Sequence, residues 1–156
     1  MHAAPPQSSH PAYIVVGFDY GTRRIGVAIG DTLTRTARPI KTLQVERGAL
    51  PSGIAQLVNE YAPQQLVVGV PYNMDGTDTT LTQSSMQFAR ELAKLTGLPV
   101  ACVDERLSSR EAEAQLRAAR AAGLKSRRVT HGDVDRIAAQ IVLQRWFDGE
   151  ATLSVC

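Results

Sequence analysis

The chain has two cysteines and three histidines among its 156 residues. Cys102 and Cys156 form no close-spaced pair, which excludes an oxidised framework and a zinc site. Cys102 falls in an apolar strand pattern and reads as a buried, inert thiol. His2 and His10 sit in a Pro/Ser-rich opening, so His131 is the one histidine of the expected globular part. Any metal held there must therefore be hard and oxygen-ligated, Mg²⁺ or Mn²⁺. No apolar run approaches the length needed to cross a membrane, and residues 1–11 (MHAAPPQSSHP) lack the basic start and apolar core of a signal peptide. The expectation is a cytoplasmic protein with a disordered leader over 1–12, one domain over 13–148 and a tail over 149–156. Net charge is weak as well, at +2, so the distribution of charge carries more than its sum.

What is present starts with Tyr13 to Asp31, YIVVGFDYGTRRIGVAIGD. Residues 13–18 and 25–29 have the length and β-branched content of buried strands and flank a turn, so they read as a hairpin. Asp19 stands at the end of the first strand. A carboxylate placed there is costly unless it is paired, hydrogen-bonded or bound to a cation, and the glycine-opened turn beside it lets a backbone approach closely.

Residues 36–45 predict a third strand, with Pro39 pointing to an edge or a bulge. A helix is expected over 49–61, with Leu50, Ile54, Leu57, Val58 and Tyr61 on one face. The near-continuous apolar run 65–70 predicts a strand covered on both faces, and the turn PYNMDGT follows. A helix over 79–96 carries Leu81, Ser85, Phe88, Leu92 and Leu95 on one face and stops at Gly97 and Pro99. A strand over 99–103 runs into Asp104, Glu105 and Arg106. Ser108 and Glu111 form a capping box that opens a helix to about Ala122. A basic loop over 124–131 precedes the last helix, 133–147. A meander feeding strand-helix-strand crossovers is an α/β arrangement, a mixed sheet with helices on both faces.

Asp19, Glu105 and Asp135 are the carboxylates this order places near the sheet centre. In the last helix Asp135 shares a face with Ala138, Ala139, Val142 and Trp146, whereas Asp133 aligns with Arg136, Ile137, Gln140 and Gln144 on a more polar face. Asp135 is therefore the expected site acid and Asp133 a helix-start residue. Three acids meeting need a divalent cation to offset their repulsion, and two such ions can flank a phosphodiester in in-line displacement.

Four strings, Asp19-Tyr-Gly-Thr-Arg-Arg-Ile-Gly-Val-Ala, Gly69 to Thr77, Asp104-Glu-Arg106 and Val134 to Ala139, resemble the YqgF family. That family is a bacterial branch of the ribonuclease H-like superfamily, associated with Holliday junction resolution and with maturation of the pre-16S rRNA 5′ end. The resemblance spans about residues 13–148. It implies a ribonuclease H-like five-stranded mixed sheet and makes Asp19, Glu105 and Asp135 metal-binding catalytic acids. It also implies phosphodiester hydrolysis that leaves a 5′-phosphate and a 3′-hydroxyl.

Nucleic acid is the partner this reading calls for, an rRNA precursor ahead of a four-way DNA junction, with the protein a monomer or weak homodimer. Arg23 and Arg24 lie at the hairpin turn near Asp19. The segment after strand 65–70 opens a helix and can present N–H groups to a phosphate, although Asp75-Gly76 also reads as a simple tight turn. The resemblance implies that this turn borders the active site, which favours a role for Asn73. From Arg106 onward, Arg110, Lys125, Arg127 and Arg128 make a basic stretch suited to tracking a phosphate backbone. Aromatics amount to 5% of the chain, so recognition by shape outweighs base stacking, with Tyr72 the one candidate stacker and Trp146 and Phe147 expected in the core. Two readings of other classes compete. An actin-like ATP-binding lobe fits the Asp-Tyr-Gly-Thr string but needs a second lobe, and a non-catalytic nucleic-acid-binding module fits the fold but not the three acids.

Overall fold

A computed structural model of the chain describes residues 11–47, 50–106, 131–149 and 152–153. Strand β1 (Ile14–Tyr20) is central, antiparallel to β2 (Arg24–Asp31) and parallel to β4 (Gln65–Val70). Strand β3 (Ala37–Gln44) lies outside β2, and β5 (Val100–Asp104) lies parallel to β4 on the other side. The sheet order is β3-β2-β1-β4-β5-β6. Five strands match the expected mixed sheet. The sixth, β6 (Thr152–Leu153), falls in what the sequence reads as a tail and is too short to leave a periodic signal.

Alternation along β1 divides the fold into two cores. Val16 and Phe18 join Ile54, Leu57, Phe88 and Leu92 from helices α1 (Ser52–Tyr61) and α2 (Thr82–Thr96) on one face. Val15 joins Val67, Val103, Ala139, Val142, Leu143 and Phe147 on the other, beneath helix α3 (His131–Phe147). The side chains at 14, 16, 18 and 20 thus face α1 and α2, and those at 15 and 19 face α3.

Pro39 behaves as expected. It lies on the edge strand, and the β2–β3 register shifts between Val27 and Ala28, with Ala28 opposite Pro39. The polar side of α3 closes that edge. Gln144 accepts from the Ala37 N–H at 3.0 Å and donates to the Arg35 carbonyl at 3.0 Å, and Gln140 donates to the Ala37 carbonyl at 3.1 Å. Such bonds satisfy backbone groups that an open edge would leave exposed.

Several boundaries differ from expectation for local reasons. α2 starts at Thr82 instead of 79, because the Thr79 hydroxyl takes the Leu81 N–H at 3.1 Å and the Thr82 hydroxyl bonds the Pro71 carbonyl. Threonine side chains here hold a turn that the helix would otherwise occupy. Leu95, expected on the buried face of α2, is 54% exposed. Cys102 is fully buried but disulfide-bonded, not an inert thiol. The register sets Cys102 opposite Leu153, a contact with the end of the chain that spacing could not reveal. The helix expected over 108–122, the basic loop over 124–130 and the first ten residues of the leader lie outside the described residues.

Candidate active site

The strand carrying Asp19 continues through it to Tyr20, so this acid is flanked by strands on both sides: it pairs with Gly26 of β2 and with Gly69 of β4. All three residues belong to the α3 face. The two glycines make the space that the site occupies. A Cβ on Gly26 would lie 1.9 Å from the Asp135 carbonyl oxygen, and one on Gly69 would lie 2.7 Å from Cδ of Glu105 and 2.6 Å from Val142 Cγ2. Only a residue without a side chain lets the start of α3 rest on β2 and lets Glu105 lie across β4.

Glu105 follows β5 by one residue and donates its backbone N–H to the Val70 carbonyl at 3.0 Å, which extends the parallel ladder past the strand end. Like Val103 it faces α3, and its side chain hydrogen-bonds Asp19. Its neighbour Asp104 does different work. Asp104 is 7% exposed and receives Arg106 Nη2 at 2.6 Å and Nε at 2.9 Å. Burial pushes the Asp104 carboxyl up, but the bonds and charge of Arg106, with the charge of Arg145, outweigh it and hold the group below its ordinary value.

Asp135 reaches the site from the second turn of α3, as its helix face predicts, and its charge acts on Asp19. Its Oδ2 accepts from Arg24 Nε at 2.8 Å. Arg24 is the first residue of β2 and not a turn residue, which puts it on the same face as Gly26 and Ala28.

Both central carboxyls are pushed upward. Burial is the main cause for Asp19, with the charge of Asp135 adding to it and the bond from Glu105 partly offsetting it. Burial again leads for Glu105, followed by the charge of Asp19, the bond it makes to Asp19, and the charge of Asp104. Each carboxyl is thus biased towards its protonated form, and the two share a hydrogen bond.

The other expected site residues divide into three groups. Arg23 is exposed beside the site, at the turn between β1 and β2. Asn73 is exposed too, but its amide holds its own loop, donating to Thr77 Oγ1 at 2.9 Å and the Asp78 carbonyl at 3.1 Å. Arg106 pairs with Asp104, and its guanidinium lies over the Tyr72 ring at 5.9 Å from the centroid. Tyr72 is thus already stacked by a cation from this chain. Arg110, Lys125, Arg127 and Arg128 lie outside the described residues. Sequence reasoning missed the seats at Gly26 and Gly69 and the Arg24–Asp135 pair. The glycines themselves stand out in RIGVAIGD and QLVVGV, but nothing in the sequence says which element each one receives.

The donor set is made of carboxylate oxygens, which suits a hard divalent cation. Among the described residues no three His, Cys, Asp or Glu side chains converge as a ready-made metal cluster. Asp19 and Glu105 hydrogen-bond each other and Asp135 is turned to Arg24. Carboxylates of this kind are the ligands that Mg²⁺ and Mn²⁺ take, so the chemistry of the donor set fits either ion.

The family model described as "RuvX: Holliday junction resolvase" matches residues 13–149. The chain belongs to the RuvX family. Among its relatives, a protein of Methylobacillus flagellatus named "Putative pre-16S rRNA nuclease" is 44% identical over 139 residues, 88% of this chain and 92% of that protein. A protein of the same name from Bordetella pertussis is 40% identical over 139 residues, 88% of this chain and 96% of its own. The RuvX chain also shares its fold with Thermus thermophilus RuvC in complex with a Holliday junction substrate. That match has a TM-score of 0.56 at 17% identity and covers 90% of this chain and 99% of that one. The fowlpox virus Holliday junction resolvase matches with a TM-score of 0.53 at 13% identity over 87% of this chain and 99% of its own. The fold of these neighbours is the ribonuclease H-like α/β arrangement expected from the motifs.

Proposed function

We propose that this RuvX-family protein is a divalent-metal-dependent endonuclease that hydrolyses phosphodiester bonds in structured nucleic acid, with residues 13–148 as its catalytic domain. The observation that carries the proposal is the contact between the half-buried carboxyls of Asp19 and Glu105, with the charge of Asp135 acting on Asp19: three acids from three distant parts of the chain, Glu105 laid over Gly69 and Asp135 held with its carbonyl on Gly26. A purely structural role would leave them neutralised by fixed partners, yet burial and mutual repulsion oppose two of them.

Asp19, Glu105 and Asp135 would hold the ions. Bound there, Mg²⁺ or Mn²⁺ supplies activation of water and stabilisation of the leaving oxygen. The chain's own residues do the rest: β1 fixes Asp19 between two strands, β5 fixes Glu105 through its N–H, and α3 delivers Asp135. Arg23 and the basic stretch with Arg110, Lys125, Arg127 and Arg128 guide the phosphate backbone to the acids. Arg106 and Asn73 shape the rim on the β4–α2 side through their contacts with Asp104, Tyr72 and Thr77.

The substrate we favour is the 5′ end of pre-16S rRNA, cut in the cytoplasm during ribosome biogenesis. Relatives that match nearly the whole chain are named "Putative pre-16S rRNA nuclease", and the choice of the 5′ end follows from the resemblance to the YqgF family. The family description favours a second reading, a Holliday junction resolvase in DNA recombination. A pre-16S leader RNA and a four-way DNA junction, offered side by side with Mn²⁺ and then Mg²⁺, separate the two. Selective RNA cleavage supports the processing nuclease and needs only a monomer. Paired symmetric cuts in the junction support the resolvase and require a dimer. Cleavage of neither refutes the nuclease reading.

A further inference from the structure

We propose that Arg24 is a latch on the metal site: in the metal-free protein it holds the Asp135 carboxylate, and on metal binding it releases that carboxylate and turns to the substrate phosphate. The inference rests on the metal-dependent reading above and adds a residue that couples metal binding to nucleic-acid binding.

Three observations carry it. Arg24 Nε lies 2.8 Å from Asp135 Oδ2, a charge-assisted hydrogen bond between side chains 31% and 22% exposed. The pair is accessible enough to exchange partners without unfolding anything. Second, the backbone of Asp135 is already located without Arg24, because its carbonyl rests on Gly26 with no room for even a Cβ. What the guanidinium sets is the direction of the carboxylate, towards β2. Third, Asp19 and Glu105 face each other across Gly69 and are joined by their own hydrogen bond, while no three acids converge among the described residues. Arg24 and a cation therefore compete for the Asp135 carboxylate.

The position of Arg24 gives the freed group its second task. It opens β2 next to the turn at Gly21–Arg23, on the face that carries all three acids. The contact to Asp135 uses Nε, and the further N–H groups of a guanidinium match two phosphate oxygens. A cation entering the site would then raise affinity for nucleic acid by releasing Arg24, and phosphate binding by Arg24 would raise affinity for the cation by the same factor.

The test is a calorimetric titration of Mn²⁺ into metal-stripped full-length protein, wild type against Arg24→Ala, Arg24→Gln and Arg23→Ala. The latch predicts that both Arg24 variants bind Mn²⁺ roughly tenfold tighter than wild type. Arg23→Ala, which removes an exposed charge of the same sign from the adjacent turn, should change affinity by less than about twofold, the effect of one solvent-screened charge. Equal or weaker Mn²⁺ binding by the Arg24 variants overturns the latch and makes Arg24 a positioning residue, while the metal site stands. No Mn²⁺ binding by any of the four proteins removes the metal reading and the latch together. A wild-type measurement guards against misfolded variants: the Arg24 Nε–H resonance should move on saturation with Mg²⁺, and an unmoved resonance in protein that binds Mg²⁺ contradicts the release.

Discussion

Desolvation and the mutual charge of Asp19 and Glu105 make the central acids a source of pH dependence. Both titrate above their ordinary values of 3.8 and 4.5, so folding favours their protonated forms. Their contribution to stability is fully present below those values and is lost as pH rises through the raised values in the folded protein. In metal-free protein, Glu105→Gln keeps a donor for Asp19 and removes the charge. Thermal melts should therefore show Glu105→Gln more stable than wild type at pH 8, with the gap closing towards pH 4. A gap that widens on acidification would mean that the acids are held ionised. At the same scale, Gly26→Ala would drive a methyl group into the Asp135 carbonyl, a backbone atom with nothing flexible to yield. We expect a loss of about 3 kcal/mol or more in denaturant melts, at or beyond the upper end of ordinary overpacking. Individual acids were legible in the sequence because a charge interrupting an apolar pattern is conspicuous at Asp19 and because helical spacing separates Asp135 from Asp133. The seats were not. A glycine in a strand gives no hint of which element approaches it, since that depends on the α3 contact formed across more than a hundred residues.

Elements carry the second level of the account, and their ends are where chemistry and periodicity compete. Strand β4 follows the apolar run at 65–70 residue for residue, because a strand buried on both faces leaves an uninterrupted signal. The start of α2 was misplaced because threonine hydroxyls at 79 and 82 bond the backbone in place of a helical turn. α1 ends on Ala62, which has φ 47 and ψ 54 and donates its N–H to the Val58 carbonyl at 2.9 Å. An alanine pays a steric cost in this left-handed conformation that glycine, the residue ending α2 at Gly97, avoids. Ala62 is exposed, so no packing is lost on replacement. Ala62→Gly should stabilise the protein by up to about 1 kcal/mol, read as a rise in denaturant midpoint at unchanged slope. A fall of similar size would show that the entropy glycine adds to the unfolded chain outweighs the relief of strain.

The whole molecule brings together acids that are 86 and 30 residues apart in sequence, at 19, 105 and 135. Topology does this in two steps. Parallel crossovers place β4 and then β5 beside β1, so that Glu105 follows the strand next but one to Asp19. The return of α3 across the opposite face from α1 and α2 then sets Asp135 over the hairpin. Element order made the mixed sheet and its two covered faces legible before any coordinates. Long-range register decided what the order could not: the β6 edge, the disulfide at Cys102 and the attachment of α3 to β3 through Gln140 and Gln144. The central claim concerns the three acids as one unit, and single-turnover cleavage tests it most directly. Pre-16S leader RNA would be incubated with Mn²⁺ and wild type, Asp19→Asn, Glu105→Gln, Asp135→Asn or Asp133→Asn, with RNA affinity measured in parallel. The account predicts a loss of roughly a hundredfold or more for each of the first three variants, the scale of removing one charged group from a transition state, with RNA affinity retained. Asp133→Asn should stay within about tenfold of wild type, as expected of a residue whose place is the helix start. Wild-type rates in Asp19→Asn, or a larger loss for Asp133→Asn than for Asp135→Asn, would contradict it.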